Sequence, residues 1–238
     1  MTTQAKQFAT LDSETVGLYG DVYDLAWSIH NKRGEVTIER NWLVRETFTN
    51  PKKMMGAFYA GKLFSHYAPM LERGEIKMAS WFDIIAQLHE DIEQFGVNVI
   101  AAYNAGFDLR VIAQTHVDLG GEGEAIPSDI DVLDIWQFAC ETKLSQKQYR
   151  QIALDQGWIS PAGNIKTGAE FAFRFCSGDL AFIEDHTALS DVRIEVQILA
   201  ECFRQKKSVP YNIINASPWR IVNPQAGDDA HIHGSKVA

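Results

Sequence analysis

Three strand-like runs in succession near the N-terminus constrain this chain more than any other feature. Phe8 to Asp12 (Phe-Ala-Thr-Leu-Asp) predicts a short buried strand. Asp24 to His30 alternates apolar and polar residues, and Gly34 marks a turn. Glu35 to Val44 alternates again, with Val36, Ile38 and Trp42 on one face. The joining Asn-Lys-Arg-Gly makes these last two a hairpin, so the three runs form a meander. Beyond it, strands alternate with helices. Asn50 and Pro51 open a helical region in which apolar residues recur from Met54 to Met70, broken by Gly56, Gly61 and Pro69. Ser80 is a plausible N-cap for a helix whose Trp81, Ile84, Ile85, Leu88 and Ile92 form one apolar face, ended by Gly96. Val97 to Ala102 and Asp131 to Ile135 bring the predicted strands to five. Further helices are expected at Asp108 to Thr115, Trp136 to Leu144, Gln148 to Gln156, Thr167 to Cys176 and Leu189 to Arg204. A meander followed by such alternation is an α/β layer architecture with a mixed sheet. Periodicity does not give the strand order.

The length, 238 residues, allows one or at most two domains. We read one domain over 1–209 and a partly flexible extension over 210–238, where periodicity fades beyond Pro210. His231-Ile232-His233 in that extension has no partners for a metal. No apolar run approaches the ~20 residues of a membrane span, and Met1 to Phe8 lacks a secretory signal. A cytoplasmic protein without a membrane partner is expected. Cys140, Cys176 and Cys202 are too widely spaced for a zinc site and read as reduced, mostly buried thiols. The net charge of −9 argues against a protein that coats nucleic acid, and against a DNA-binding regulator. It leaves room for an enzyme that handles one strand end.

Three polar clusters carry the chemistry. In Asp12-Ser13-Glu14, residues i and i+2 of a strand project from one face, which sets two carboxylates side by side. The bland alternative is a strand ending in solvated acids. Asn104-Ala105-Gly106-Phe107-Asp108 follows the buried strand Val99 to Ala102, where an acid can point into the crevice beyond the strand ends. Alternatively Asp108 caps the helix after it. In His186-Thr187-Ala188-Leu189-Ser190-Asp191, the Asp can bind a metal while the His reaches past it. Otherwise Asp191 is a first-turn acid favoured by the helix dipole, and His186 is structural.

Taken together and in this order, the clusters resemble a known family. Asp12-Ser13-Glu14-Thr15-Val16-Gly17-Leu18 is similar to the first motif of DnaQ-like proofreading exonucleases. Asn104-x-x-Phe107-Asp108 is similar to their second motif, and His186-Thr-Ala-Leu-Ser-Asp191 to the third in its His form, that of the DEDDh branch. The resemblance runs from about Phe8 to Arg204. Thr47 to Ile76 and the tail from Pro210 have no counterpart in the family pattern. A phage-type or bacterial member is suggested.

The resemblance implies an RNase H-like fold and stepwise 3′→5′ removal of nucleotides. It makes Asp12, Glu14, Asp108, His186 and Asp191 the catalytic set, with the four acids as metal ligands. Four carboxylates without a Cys suit two divalent cations, Mg²⁺ or Mn²⁺. His186 would be the general base, since an imidazole titrates near working pH. Thr15, Leu18, Asn104 and Phe107 would bind the terminal nucleotide: Thr15 at the 3′-OH, Leu18 wedged against the base, Phe107 beneath a base or sugar. The alternative for Leu18 and Phe107 is plain core. Lys143, Lys147, Arg150, Lys166 and Arg174 either track a strand backbone or form a solvated helix face. The expected partner is nucleic acid with a free 3′ end, DNA favoured over RNA and single strands over duplex, with a polymerase or another replication or repair protein alongside. The competing readings are an exoribonuclease or oligoribonuclease on the same fold, and a non-catalytic proofreading-like subunit.

Overall fold

The computed structural model describes residues 6–224. The His231-Ile232-His233 run lies outside them. Six strands form one sheet: β1 (Gln7–Thr15), β2 (Val22–Asn31), β3 (Val36–Val44), β4 (Lys77–Ala79), β5 (Val97–Ala102) and β6 (Asp131–Asp134), in the order β4-β3-β2-β1-β5-β6. β1, β2 and β3 pair antiparallel, as the hairpin signal predicts. β4, β5 and β6 join in parallel. The sheet is therefore mixed, with the meander β3-β2-β1 inside it and β4 and β6 at the two edges.

The sequence predicts five strands, and β4 corrects that count. It is three residues long and pairs only with β3. Such a run is too short to show a period of two.

The helices are α1 (Arg45–Phe48), α2 (Pro51–Met54), α3 (Ala68–Glu72), α4 (Trp81–Phe95), α5 (Ala105–Asp118), α6 (Ile135–Ala139), α7 (Lys147–Asp155), α8 (Ala169–Ser177), α9 (Ala188–Phe203) and α10 (Trp219–Val222). Leu63–Tyr67 and Cys140–Leu144 wind as π-helices. α4 is bounded as its sequence suggests. Ser80 accepts from the Asp83 amide at 3.2 Å, and Gly96 closes the helix at φ +61°. α5 begins three residues before Asp108, because Asn104 turns the chain at φ +69°.

Two cores flank the sheet. On one face Phe8, Val99 and Leu133 pack with α6 to α9, through residues such as Phe138, Ile194 and Ile198. On the other, Ala9, Leu11, Trp27 and Ile100 meet α4 and α5 through Ile84, Leu88 and Ile112. A third, smaller cluster joins Tyr23 and Leu43 to Met54, Tyr67 and Ile76 from the segment between β3 and β4. Residues 210–224 lie against the body. Tyr211 bridges to Leu133, Asn212 exchanges bonds with Val132, and Asn223 bonds both backbone groups of Ile165. Cys140 and Cys202 are buried, Cys176 is partly so, and all three are free. Among the described residues, no helix is long and apolar enough to cross a membrane.

Candidate active site

β1 sets the site by alternation. Phe8 faces the core of α6 to α9, so Asp12 and Glu14, two and three steps of two residues further on, share that side. Ser13 points the other way, with Ala9 and Leu11, toward α4 and α5. α9 crosses the first face, and its first turn carries Asp191. The carboxylate oxygens of Asp12, Glu14 and Asp191 lie within 4.8 Å of one another. Glu184, His186 and Asp191 form a second group with the same spacing, so Asp191 belongs to both. His186 Nδ1 is 3.5 Å from Glu184 Oε2.

Asp108 does not join either group. It accepts from the Ser13 amide at 3.1 Å and the Ser13 hydroxyl at 2.7 Å, both on Oδ1. It lies within the first turn of α5, so it is not the helix cap; Asn104 holds that position, and its side chain makes no capping bond. The charge of Asp108 still reaches Asp12, where it is the largest influence after burial.

Burial raises every acid of this site, and neighbouring acids add to it. Asp12 is held well above the carboxylate range by desolvation, then by Asp108, Glu195, Asp191 and Glu14. Glu14 is pushed up to about 9 by burial, then Asp191 and Asp24, with Lys62 opposing. Asp191 is pushed up to about 8 by burial and Glu184. Asp108 reaches about 7 through burial, against the pull of its Ser13 bonds. These acids cannot all ionise together without added positive charge. Their oxygens, with no thiolate among them, fit hard divalent cations such as Mg²⁺ or Mn²⁺. The imidazole of His186 is shifted the other way, below its ordinary value, by desolvation and Lys62.

The four residues expected around a terminal nucleotide lie at or just past the end of β1 and at the start of α5. Thr15 sits where the β1–β2 register shifts, its hydroxyl donating to the Gly17 carbonyl at 2.8 Å. Leu18 is 73% exposed and is not core. Its carbonyl accepts from Arg110 Nη2 at 3.0 Å, and the same guanidinium lies 5.0 Å from the Tyr19 ring and 5.3 Å from the Phe107 ring. Phe107 is partly buried against the α4–α5 core. Asn104 offers its carbonyl to the Phe107 amide at 2.8 Å.

Sequence reasoning missed three acids here. Glu195 is 2% exposed and accepts from the Tyr103 amide at 3.1 Å, which ties α9 to the end of β5. Its signal was present, since it stands four residues after Asp191 on the same helix face. Glu184 stands two residues before His186. Asp24 lies opposite Glu14 in the β1–β2 register, fully buried. It accepts from Tyr67 Oη at 2.9 Å and from the Ala188 amide at 3.1 Å, and burial pushes it up to about 7. Only the register could have found it. Of the basic residues weighed as a strand track, Lys143 pairs with Glu201, Arg150 bonds the Val222 carbonyl, and Arg174 bonds Glu170 and the Phe182 carbonyl. They tie elements together.

No family model matches the sequence, and no curated protein is similar to it. Solved structures are similar in fold. E. coli exonuclease I in complex with a 5cy-dT13 oligonucleotide aligns with a TM-score of 0.53 at 15% identity, over 85% of this chain and 41% of that one. A zinc-bound form of the E. coli exonuclease I–single-stranded DNA complex aligns at 0.52 and 15% identity, over 86% and 42%. Exonuclease I from Methylocaldum szegediense aligns at 0.51 and 16% identity, over 92% and 43%. This chain thus spans about two fifths of those chains. The likeness establishes the RNase H-like fold.

Proposed function

We propose that this chain is a metal-dependent 3′→5′ exonuclease that shortens single-stranded DNA and releases nucleoside 5′-monophosphates. The observation that carries this is the convergence of Asp12, Glu14 and Asp191, with His186 reaching the same Asp191. The fold adds support, because exonuclease I structures share it and two of them hold a single strand or an oligonucleotide.

Asp12, Glu14 and Asp191 would hold the cations, with Asp108 on the leaving-group side. Two divalent ions there would offset the crowded negative charge and stabilise the attacking and departing oxygens of a phosphodiester. His186 would accept the proton of the attacking water as its oxygen bonds phosphorus and the bond to the 3′-oxygen breaks. With its pKa lowered, the imidazole is neutral near pH 7 and able to take that proton. Glu184 faces Nδ1, which leaves Nε2 for the water. Leu18, exposed and backed by Arg110, would wedge at the terminal base, with Thr15 at the 3′-OH and Asn104 and Phe107 below.

The test is a 5′-labelled single strand, DNA or RNA, incubated with Mg²⁺ and resolved on a gel. A ladder shortening from the 3′ end is expected, faster on DNA, and absent when a bulky phosphate blocks that end. Preference for RNA would move the assignment to an exoribonuclease. No cleavage of either strand with Mg²⁺ or Mn²⁺ would overturn the reading in favour of a non-catalytic subunit.

A further inference from the structure

Residues 47–76 are the stretch to which the motifs give no role. Tyr59, in a turn, and Lys62, His66 and Tyr67, in or beside the π-helical turn Leu63–Tyr67, all belong to this segment. The first three meet the short run that carries His186, and Tyr67 reaches its end only through Asp24. The Tyr59 ring lies on the imidazole, with centroids 4.9 Å apart and planes 16° from parallel. Lys62 Nζ donates to the His186 carbonyl at 2.8 Å and to the Asp185 carbonyl, and it lies 4.5 Å from the Tyr59 ring centre. His66 Nε2 is 3.2 Å from Asp185 Oδ1. Tyr67 acts through Asp24, which accepts from both the Tyr67 hydroxyl and the Ala188 amide.

These contacts meet a specific need. His186 has φ +53°, a conformation that residues other than glycine rarely adopt. Its side chain is 39% exposed, so core packing does not fix it. A backbone of this kind persists only where its surroundings hold it. Here one ammonium holds two successive carbonyls, one aromatic face fixes the ring plane, and Glu184 closes the other side at 3.5 Å.

We infer that the 47–76 segment positions the general base: Tyr59 sets the plane of the His186 imidazole and Lys62 pins its backbone. This rests on the reading of His186 as the base of a nuclease. Both are positioning residues, acting through His186 and not on the strand. The competing role for Tyr59 is a stacking surface for bases, with exposed Phe58 beside it at 4.8 Å.

Steady-state cleavage rates across a range of oligonucleotide concentrations, at saturating Mg²⁺, separate the two. Tyr59→Ala and Lys62→Met should each lower kcat by about 10–100-fold, the cost of a misplaced reacting group. KM should stay within about threefold of the parent. Tyr59→Phe keeps the ring and should recover the parental rate, and Lys62→Arg most of it. If Tyr59→Ala melts early, Tyr59→Leu keeps apolar bulk without the aromatic face and carries the same expectation. In a His186→Ala background, Tyr59→Ala should have no further effect, because the group it positions is gone. A raised KM with unchanged kcat, or a full additional loss in the His186→Ala background, would overturn the proposal. A second readout needs no turnover. The ring current of Tyr59 should displace the His186 Cε1–H NMR signal, and Tyr59→Leu should return it while His30 and His116 stay in place. If the parent cleaves nothing, the nuclease reading fails and this signal still decides the packing. If the signal does not move in Tyr59→Leu, the positioning role fails whatever the enzyme cleaves.

Discussion

Asp91 and Asp191 are both buried acids on helices that pack against the same sheet, yet they are supplied very differently. Asp91, on α4, is 0% exposed. It accepts from Trp27 Nε1 at 2.9 Å, from Arg40 through two bonds of 3.0 Å, and from Gln87 at 3.1 Å. Asp191 accepts from Ser190 Oγ at 3.1 Å and is crowded by Asp12, Glu14, Glu184 and Glu195, with His186 in its group and the charge of Lys62 only partly offsetting the burial and the acids. One acid is buried with its countercharge and its donors. The other is buried among acids. Burial alone therefore does not mark a functional carboxylate, whereas the inventory of partners does.

The comparison breaks most sharply under substitution. Asp12→Asn or Asp191→Asn should remove cleavage, with a loss beyond about 10⁴-fold, while the metal-free protein melts no lower than the parent because repulsion has been relieved. Melting scans beside a gel assay check both halves. Activity that falls only as far as the folded fraction would return these acids to a structural role.

His186→Ala should cost about 10²–10⁴-fold in kcat, the range of a positioned acid–base group, and should leave cation binding intact. Single-turnover rates against pH, with calorimetric Mn²⁺ titration, measure this. An unchanged rate in a folded variant would remove His186 from the mechanism.

At the other acid, Asp91→Asn should destabilise by about 3 kcal/mol, toward the lower end for a broken buried pair because Arg40 is partly exposed. Denaturant titration reads the change, and activity per folded molecule should match the parent. A specific activity loss would mean that the two faces of the sheet are coupled.

The last contrast separates the regions by pH. Glu14 and Asp191 hold protons in the folded chain up to about 9 and about 8. The unfolded chain releases them near ordinary carboxylate values. The folded state thus binds more protons across that window, and metal-free stability falls as pH rises from 5 to 9. Mg²⁺ should restore the melting temperature at the alkaline end, and Glu14→Gln should flatten the slope. A melting temperature that rises with pH over this range would contradict the crowded-acid account.

The meander, the ends of α4 and the pairing of Asp12 with Glu14 were readable in the sequence, because each follows from a local period or cap, whereas Asp191 was joined to that pair only through the family resemblance. The sequence was silent where contacts cross the chain. Asp24 meets Ala188 across 164 residues, and Tyr59 meets His186 from a segment without a clear pattern. The sequence places the start of α5 at Asp108. The left-handed turn at Asn104 moved that start to Ala105 and left Asp108 free to turn toward Ser13. Glu195 lay between these extremes, visible in its spacing and overlooked because a buried glutamate beside three other acids is not expected of a folded core.

The π-helical turn at Leu63–Tyr67 has a consequence for chain length. Such a turn holds one residue more than an α-helical ladder needs. Deleting Ser65 would let the turn close in the α form and keep its flanks nearly in phase, because the wide turn is what absorbs the extra residue. Tyr67 would stay on Asp24, and Tyr59 and Lys62 on His186. A one-codon deletion should thus be tolerated here, where in a regular helix it would turn one flank against the other by about 100°.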